Sequence, residues 1–530
     1  MTKKELDQLK NDYNNEKNSI EVSFEKILDH ISIFEKGIPP LNLIKSCTIG
    51  DGIQVIDEEE YDELLSEFQN AVDKGRITKF VPASGAASRM FKSLQAVLIK
   101  FSVVNRGTLE DAAMNNDSHS IAVLEFVDNI KRFAFYSDLR EKMAADGLDF
   151  EIFLEKQTYS EILKYTLESV GLNYVNQPKG SMKFHAYSDG ANTAFEEHLV
   201  ESINYAKAKN ESAKIHFTIS PEYRGLINSV INAALRKHRL SGNNIEVSYS
   251  YQKPSTDTIA VTLDNKPFKD DEGKLVFRPA GHGALLENLN DLKGDIVFIK
   301  NIDNLVTERL RGTTYLYKKV LAGYLIRLQN KIFDYLLALD NEEISLSGFV
   351  SIKNFSESDL SIRFDKDFDG LEQEMQKVIL KEKLNRPIRV CGIVRNEGEP
   401  GGGPFWVKGN DGLVSLQLVE KMQIDIDNEE QNRILEASKY FSPVDLVCGV
   451  RDYKGHPFNL LEFTNPAAGL ITIKTKDGRE LKALELPGLW NGSMAEWITV
   501  LIKVPKITFN PVKEVNDLLR KEHQPWQLAQ

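Results

Sequence analysis

Residues 80 to 91 read Phe-Val-Pro-Ala-Ser-Gly-Ala-Ala-Ser-Arg-Met-Phe, a short apolar strand followed by a loop of small residues that ends at Arg89. Small residues let the backbone approach a ligand closely and direct its N–H groups toward phosphate oxygens. A helix after the loop would add the positive end of its dipole, and Arg89 adds a full charge. This stretch therefore predicts a polyphosphate site at the end of a strand in an α/β fold.

A second segment, further along the chain, carries another cation suited to phosphate. It reads Gln177-Pro-Lys-Gly180, and Phe195-Glu-Glu-His-Leu-Val-Glu201 opens a predicted helix soon after it. The ammonium of Lys179 is a compact point charge that can approach phosphate oxygens. The two segments together predict one phosphate site, formed by residues 83 to 89 and Lys179.

Both segments resemble the nucleotidyltransferase (nucleotide-diphospho-sugar transferase) superfamily. Residues 82 to 90 are similar to its signature loop, Leu-Ala-Gly-Gly-x-Gly-Thr-Arg-Leu, and residues 178 to 198 are similar to its Pro-Lys and Glu-His segment. Ser84 and Ala87 stand where the superfamily usually has glycine, which narrows the room for a triphosphate. The alternative for the loop is an ordinary alanine-rich strand, turn and helix.

Two later segments resemble the UDP-sugar pyrophosphorylases of the same superfamily. Residues 278 to 284, Arg-Pro-Ala-Gly-His-Gly-Ala, are similar to their Pro-x-Gly-(His/Asn)-Gly stretch. Residues 509 to 513, Phe-Asn-Pro-Val-Lys, are similar to their Phe-x-Pro-x-Lys-Asn segment, with Glu514 in place of the asparagine. The four similar segments follow the family order, but long stretches between them match nothing in that pattern.

Asp303 follows an apolar strand predicted at residues 296 to 299. In a doubly wound sheet, a carboxylate at the carboxyl end of a buried strand faces the ligand crevice. We therefore expect Asp303 to bind Mg²⁺ or Mn²⁺, since hard cations prefer oxygen ligands shared with substrate phosphates. The alternative is that Asp303 caps a helix that begins near Asn304.

The resemblance implies a nucleotidyltransferase that moves a nucleoside monophosphate from a nucleoside triphosphate to a sugar 1-phosphate or similar phosphate and releases pyrophosphate. The sugar phosphate would attack the α-phosphorus in line, so positioning and charge neutralisation carry the step. Arg89 and Lys179 are the expected catalytic residues. The other expected roles are nucleotide binding by Ala83, Ser84, Gly85, Ala86, Ala87, Ser88, Gln252, Gly281, His282 and Gly283, and sugar-phosphate binding by Glu397, Asn491 and Lys513.

Some of these assignments have open alternatives. The glycine cluster at residues 401 to 403 predicts a turn over the sugar phosphate, with Glu397 or Glu399 bonding hydroxyls, or else a plain surface turn. A second carboxylate for the metal has only Asn491 and Glu496 as counterparts, and neither fits the family pattern. His185 is expected to be structural, since the histidines show no zinc-binding spacing.

Two other functions remain open. One is a glycosyltransferase of the GT-A type that uses a finished nucleotide sugar, although Arg89 and Lys179 suit a triphosphate and a pyrophosphate leaving group better. The other is a non-catalytic nucleotide-sugar-binding protein, which Ser84, Ala87 and the missing second carboxylate favour.

The expected fold is α/β, with a mainly parallel, doubly wound (Rossmann-like, GT-A-like) sheet, because predicted strands and helices alternate. Strands are predicted at 77–82, 214–219, 245–251, 296–299, 388–394 and 446–450, and helices at 58–74, 221–238, 284–291 and 304–338. The predicted domains are a helical N-terminal extension (1–75), a nucleotidyltransferase-like core (76–340) with a helical insertion at about 102–176, and a C-terminal α+β part (341–530) that completes the sugar-phosphate side.

Composition narrows the partners and the compartment. The net charge of −12 argues against nucleic-acid binding, which relies on a basic face. The N-terminal residues lack the apolar region of a signal peptide, and no stretch is apolar enough for a membrane span. The three cysteines, at 47, 391 and 448, have no metal-site spacing and are expected to be reduced thiols. We therefore expect a cytoplasmic protein.

Overall fold

The computed structural model describes residues 2–208, 212–240, 242–340, 344–398, 402–409 and 411–525. Contacts between residues divide the chain into two units. The first unit comprises residues 1–78, 252–299 and 319–506, and the second comprises residues 79–251, 300–318 and 507–530. The three-part division expected from the sequence is a different partition and stays a prediction.

The helices are distributed along the whole chain. They are α1 (Lys3–Glu16), α2 (Phe24–Lys36), α3 (Tyr61–Asp73), α4 (Lys92–Lys100), α5 (Arg106–Met114), α6 (Ser118–Asp128), α7 (Tyr136–Ala145), α8 (Phe150–Glu155), α9 (Ser160–Leu167), α10 (Ala194–Tyr205), α11 (Arg224–Leu240), α12 (Leu285–Asp291), α13 (Glu308–Asp340), α14 (Leu346–Ser358), α15 (Gln373–Leu384) and α16 (Glu429–Glu436). Within the described ranges, no helix is both long and apolar enough to cross a membrane.

The strands are concentrated in two stretches of sequence, before residue 300 and after residue 388. They are β1 (Asn42–Ser46), β2 (Thr48–Ile49), β3 (Gly52–Gln54), β4 (Ile77–Pro82), β5 (Lys183–Tyr187), β6 (Gly190–Thr193), β7 (Ala213–Thr218), β8 (Ile245–Ser250), β9 (Thr258–Ile259), β10 (Phe277–Arg278), β11 (Ile296–Lys300), β12 (Ile388–Arg395), β13 (Gly403–Lys408), β14 (Val414–Val419), β15 (Tyr440–Phe441), β16 (Asp445–Gly449), β17 (Leu470–Lys476), β18 (Arg479–Glu485) and β19 (Ile498–Lys503).

The first unit has a mixed sheet in the order β2-β3-β19-β12-β16-β11. The pairs β2/β3, β3/β19 and β19/β12 are parallel, whereas β12 and β16 are antiparallel. Residues 388 to 394 of β12 are all buried, as expected of a strand covered on both faces. Smaller antiparallel sheets join β1, β13 and β14, β9 and β10, and β17 and β18.

The second unit has the parallel strands β4, β7 and β8 in that order. On α11, Ile227, Ile231 and Ala234 are buried at helical spacing, which packs one face of this helix on the core. The core continues through α4 to α10, with Phe91, Phe126 and other large side chains. This core holds the carboxyl ends of β4 and β7 in place.

The structure confirms the expected fold class, since parallel strands alternate with helices in both the early and the late parts of the chain. The strands predicted at 77–82, 214–219, 245–251, 296–299, 388–394 and 446–450 correspond to β4, β7, β8, β11, β12 and β16 within one residue at each end. The predicted insertion at 102–176 contains five helices, α5 to α9.

Residues 1 to 75, expected to form a helical extension, contain short strands as well as helices. Besides α1, α2 and α3, they include β1, β2 and β3, and β3 pairs in parallel with β19. Gly50 and Gly52 have positive φ, so they permit the tight reversals between these short strands. The short strands escaped prediction because a strand of two or three residues shows no clear alternation of apolar residues.

Candidate functional site

The loop at 83 to 89 begins where β4 ends, and it is fixed by its neighbours in the second unit. The Ala83 N–H donates to the Thr218 carbonyl (2.9 Å), and the Ser220 hydroxyl donates to the Ser84 carbonyl (3.0 Å). Both partners lie at or just beyond the carboxyl end of β7. The loop therefore sits at the edge of the parallel strands where ligands of doubly wound sheets bind.

The same loop pairs with the Pro-Lys segment. The Ala87 N–H donates to the Gln177 carbonyl (2.9 Å), and the Lys179 N–H donates to the Gly85 carbonyl (3.1 Å), so that Ala86 lies opposite Pro178. At Gly180 an added Cβ would lie 2.5 Å from the Phe195 ring, so a larger residue there would clash with that ring. The structure thus brings together the two segments that the sequence predicted to meet.

The N–H groups of the loop differ in whether they already donate a hydrogen bond within the protein. Those of Ala83 and Ala87 are already bonded to backbone carbonyls and so are not free to donate to phosphate, while nucleotide binding by these two residues stays a prediction. In the described part of the chain, the N–H groups of Ser84, Gly85 and Ala86 donate no hydrogen bond. Gly85 and Ala86 are exposed, and nothing lies within 4 Å of a Cβ added at Gly85. The open, unpaired side of the loop is therefore at 84–86.

Ser88 and Arg89 are the other two candidate residues of this loop. Both belong to the single 3₁₀ turn Ala87–Phe91, which leads into α4. Arg89 is exposed, and it forms no ion pair with any residue that the structure describes. Its guanidinium is therefore available to an anionic ligand.

Asp303 is positioned by a short pairing with the C-terminal segment of the same unit. The Val512 N–H donates to the Asp303 carbonyl (3.1 Å), and Asn304 lies opposite Pro511. The Asn304 side chain accepts the Asn510 N–H (2.9 Å), and it is buried. This pairing carries Lys513 to the side of Asp303.

Lys179, Asp303 and Lys513 form one cluster, which we call the lysine–aspartate cluster. The ammonium groups of Lys179 and Lys513 lie 2.7 Å and 3.1 Å from the same oxygen, Oδ2 of Asp303. Burial alone would raise the pKa of the Asp303 carboxyl, but the two ammonium groups outweigh it and the pKa is lowered. Burial lowers the pKa of Lys179, which Asp303 opposes. The two ammonium groups share one carboxylate oxygen, so each keeps N–H donors for an anionic ligand, while the charge of Asp517 also acts on Lys179.

The second oxygen of Asp303 bears on the expected metal. Oδ1 is buried and has no hydrogen-bond partner among the described residues. A cation or its bound water would satisfy this oxygen, so the residue fits Mg²⁺ or Mn²⁺. Across the described ranges, no group of three or more His, Cys, Asp or Glu is arranged to hold a metal. The protein would supply one carboxylate, and phosphates and water the rest, which is usual for Mg²⁺.

The alternative role of Asp303 as a helix cap is wrong. The next helix, α13, begins at Glu308, five positions further on, so Asp303 does not occupy its N-terminal cap. Residues 301 to 307 form instead the connection that pairs with the C-terminal segment.

A buried ion-pair network lies under this edge of the second unit. Glu201 accepts from Lys79 (2.7 Å) and Lys300 (2.6 Å), and all three side chains are almost fully buried. Burial alone would raise the pKa of Glu201, but the two lysines outweigh it and the pKa is lowered well below its usual value. His198 donates from Nε2 to the Ile302 carbonyl (3.1 Å), beside Asp303. His198 of the Glu-His motif thus contacts the backbone next to Asp303.

Replacing Glu201 with glutamine is expected to destabilise the protein by about 3–5 kcal/mol, because two buried ammonium groups lose their common anion. Urea and thermal unfolding, followed by circular dichroism, measure the change. Glu161→Gln is the matched control, since Glu161 pairs with Lys164 at the surface (3.0 Å) and should change stability by about 0–1 kcal/mol. Equal stability of the Glu201 variant and wild type would contradict the assigned network.

His185 belongs to a second buried network of the same unit. Its Nδ1 lies 3.1 Å from Glu197, and its Nε2 lies 2.9 Å from His523. Glu197 also accepts from Tyr187 (2.8 Å) and Arg311 (2.5 Å). In the described chain, the contacts of His185 are with other side chains of this network, in agreement with a structural role.

The first unit contains a separate group of polar residues, which we call the His282 cluster. The His282 and Trp490 rings are stacked with centroids 4.2 Å apart, and the Leu489 N–H donates to His282 Nδ1 (3.0 Å). Glu420 lies 3.6 Å from His282 Nε2 and accepts from Asn491 (2.5 Å). The nearby His282 ring lowers the pKa of Glu420, and the hydrogen bond from Asn491 acts in the same direction.

The glycines on either side of His282 are required by the local geometry. Gly281 has a φ of 76°, and a Cβ at Gly283 would lie 2.1 Å from the Pro487 carbonyl oxygen. Because glycine has no Cβ, the Gly-His-Gly turn can pack directly against residues 486 to 488. Glu420, which the sequence analysis missed, follows directly on strand β14, so its position after an apolar strand is the signal that could have found it.

Several expected site residues lie in neither cluster. In the first unit, Gln252 donates weakly to Asp257 (3.5 Å), and Glu397 is exposed and 3.7 Å from Lys506. Glu496 forms an ion pair with Arg386 (2.7 Å), whereas Asn491 belongs to the His282 cluster through its bond to Glu420, and the second ligand of the expected metal stays open. Glu399 lies outside the described residues.

Residues 10–524 match the family described as "Domain of unknown function (DUF4301)". The chain belongs to the DUF4301 family. No curated protein matches this DUF4301 chain.

UDP-sugar pyrophosphorylases are among the solved structures that are similar to this DUF4301 protein. They include UDP-N-acetylglucosamine pyrophosphorylase from Trypanosoma brucei in complex with an inhibitor (12% identity, 94% of this chain and 75% of that chain, TM-score 0.45). A mutant UDP-glucose pyrophosphorylase from Leishmania major with UDP-glucose gives 12% identity, 96% and 77% coverage and a TM-score of 0.43. A UDP-glucose phosphorylase from T. brucei gives 11%, 94% and 77%, and 0.44.

Proposed function

We propose that this DUF4301 protein is a nucleotidyltransferase that joins a nucleoside monophosphate from a nucleoside triphosphate to a sugar 1-phosphate or similar phosphate and releases pyrophosphate. The observation that carries the proposal is the lysine–aspartate cluster. Lys179 and Lys513, from segments 124 and 210 residues away from Asp303, converge on one oxygen of that carboxylate. Two cations at one point suit a reaction in which two phosphate groups must approach each other.

The loop supplies the binding side of the proposed site. The unpaired amides of Ser84, Gly85 and Ala86 donate to triphosphate oxygens, and Arg89 adds its charge. Backbone amides held by hydrogen bonds elsewhere need little rearrangement when the ligand arrives, so they stabilise its charge effectively. Ser88, at the start of the helical turn, is the remaining loop residue with a proposed phosphate contact.

The lysines supply the neutralising charge. An ammonium group has three N–H donors, so Lys179 can bond the α-phosphate while it keeps Asp303, and Lys513 can bond the sugar phosphate in the same way. This arrangement orients the attacking oxygen and reduces repulsion between the two phosphates. Negative charge that develops on the α-phosphate and the departing pyrophosphate is then met by fixed cations.

A divalent cation, Mg²⁺ or Mn²⁺, held by Asp303 would screen the phosphates when it is bound. The buried Oδ1 atom, which has no partner among the described residues, supports this proposal. The base- and sugar-binding roles expected of Gln252, Gly281, His282, Gly283 and Asn491 stay predictions, and Glu420 joins Asn491 as a candidate for bonding hydroxyl groups.

The purified protein is expected to release pyrophosphate from a nucleoside triphosphate with Mg²⁺ only when a suitable sugar 1-phosphate is present. The reverse reaction should consume pyrophosphate and a nucleotide sugar, because the two directions pass through one transition state. A panel of five triphosphates against several sugar 1-phosphates, assayed by coupled detection of pyrophosphate, tests both directions.

The same panel separates the alternatives. Binding without any pyrophosphate would favour a non-catalytic nucleotide-sugar-binding protein. Release of a nucleoside diphosphate from a nucleotide sugar, with a glycosylated acceptor, would favour a glycosyltransferase. Pyrophosphate that appears without an acceptor would indicate hydrolysis and would contradict the proposal as well.

A further inference from the structure

The side chain of Lys513 is held less firmly than that of Lys179. It is 61% exposed, whereas the Lys179 side chain is 13% exposed. A lysine side chain is flexible, so packing does not determine where such an exposed ammonium lies. Its place beside Asp303 depends on how the backbone at residue 513 is held.

Asp517 holds that backbone. Its Oδ2 atom accepts the Lys513 N–H (2.7 Å) and the Glu514 N–H (2.8 Å). Glu514 caps the 3₁₀ turn Val515–Leu519, and its side chain accepts the Asp517 N–H in return. Hydrogen bonds from N–H groups to a carboxylate are stronger than those to neutral acceptors. The pair of bonds therefore fixes the direction in which the Lys513 side chain leaves the backbone.

The turn that carries Asp517 is anchored in the core of the second unit. Val515, Leu518 and Leu519 are buried there, and Arg132 donates to the Leu519 carbonyl (3.0 Å). The other oxygen of Asp517 accepts from Arg520 (2.6 Å). Asp517 thus transmits the rigidity of the core to the backbone of Lys513, and in the described chain it makes no hydrogen bond or ion pair with the side chains of Lys179, Asp303 or Lys513.

We propose that Asp517 is a positioning residue that sets the place of the Lys513 ammonium and, through it, the affinity for the sugar phosphate. The inference rests on the proposed function, because that function gives Lys513 its ligand. A purely structural cap would affect stability and every substrate alike. A positioning residue affects one substrate and depends on the presence of Lys513.

The test compares Asp517→Ala with Asp517→Asn, in which the amide oxygen can still accept both N–H groups. Asp517→Ala should raise KM for the sugar 1-phosphate by about tenfold or more, while kcat and KM for the triphosphate change little. Asp517→Asn should recover most of this loss. Arg520→Ala removes only the surface ion pair and should leave KM unchanged.

A double-mutant cycle makes the test specific. In a Lys513→Ala background, Asp517→Ala should have no further effect on KM, since residues that act through one group are not additive. Equal effects in both backgrounds, or a parallel rise in KM for both substrates, would overturn the proposal. So would an unchanged KM in Asp517→Ala.

Hydrogen exchange measured by mass spectrometry gives a readout that does not need activity. Asp517→Ala should speed exchange at the amides of residues 513 and 514, and unchanged protection would overturn the proposal whatever the enzyme does. If the wild type transfers no nucleotide, the proposed function alone fails. Calorimetric titration with inorganic phosphate, the chemical group that Lys513 is proposed to bind, then replaces KM, with an expected tenfold weaker binding in Asp517→Ala, and equal binding overturns the inference.

Discussion

Asp303→Asn is expected to lower nucleotidyl transfer by about 10³-fold or more, since a bound metal is worth several kcal/mol of charge stabilisation. The amide keeps the size of the side chain but loses its charge, so it replaces a hard anionic ligand with a weak neutral one. It also removes the common anion of Lys179 and Lys513. Pyrophosphate release at a series of Mg²⁺ concentrations measures the loss, and calorimetry measures metal-dependent nucleotide binding.

Asp138→Asn is the matched control for this change. Asp138 pairs with Lys183 at 2.6 Å in the same unit, and both side chains are about one-third exposed. Its loss should leave turnover within about twofold of wild type, because a partly exposed pair contributes little. An Asp303 variant with normal turnover at low Mg²⁺ would remove this residue from the catalytic site.

Lys179→Ala is expected to lower kcat by about 10²-fold or more, the usual effect of removing one group that stabilises developing charge. The lysine is held by its backbone bond to Gly85 and by Asp303, so its position does not depend on the substrate. The variant should fold, because the side chain contributes an ion pair and no large apolar surface. Steady-state assays in both directions measure kcat, and thermal unfolding checks the fold.

Lys183→Ala, which breaks the control pair with Asp138, separates a specific loss from a general loss of positive charge. It should retain full activity, and Lys179→Arg should recover little, since a planar guanidinium does not replace a compact ammonium. A Lys179→Ala variant that releases pyrophosphate at the wild-type rate with every responsive substrate would make the Pro-Lys resemblance accidental.

The sequence predicted the strands of the sheets and the two segments of the proposed phosphate site, because both can be identified from the residue types of short stretches of sequence. Periods of apolar residues located β4, β7, β8 and β11, and small residues beside cations located the loop and Lys179. The sequence alone could not show which N–H groups of the loop lack a hydrogen-bond partner in the folded chain. Ala83 and Ala87 are occupied by Thr218 and Gln177, and such partners become neighbours only in the folded chain.

Other features lay beyond sequence reasoning for the same reason. Glu420 joins His282 and Asn491 through contacts between residues far apart in the chain, as does the burial of Lys79 and Lys300 around Glu201. A charged residue reads as surface when taken alone, because most are exposed. Its counter-charge in the interior becomes visible only when the fold brings the partners together.

The residues of the lysine–aspartate cluster lie far apart in the sequence, and this affects when the cluster forms during synthesis and folding. Its two contacts close chain segments of 124 and 210 residues, and such long-range contacts form slowly because loop closure must precede them. The segment that carries Lys513 follows Lys179 and Asp303 in the sequence, so it is synthesised after them. An emerging chain therefore forms the strands and helices that precede Lys513 before this cluster is complete, and we expect the proposed phosphate affinity to appear only when the cluster has formed.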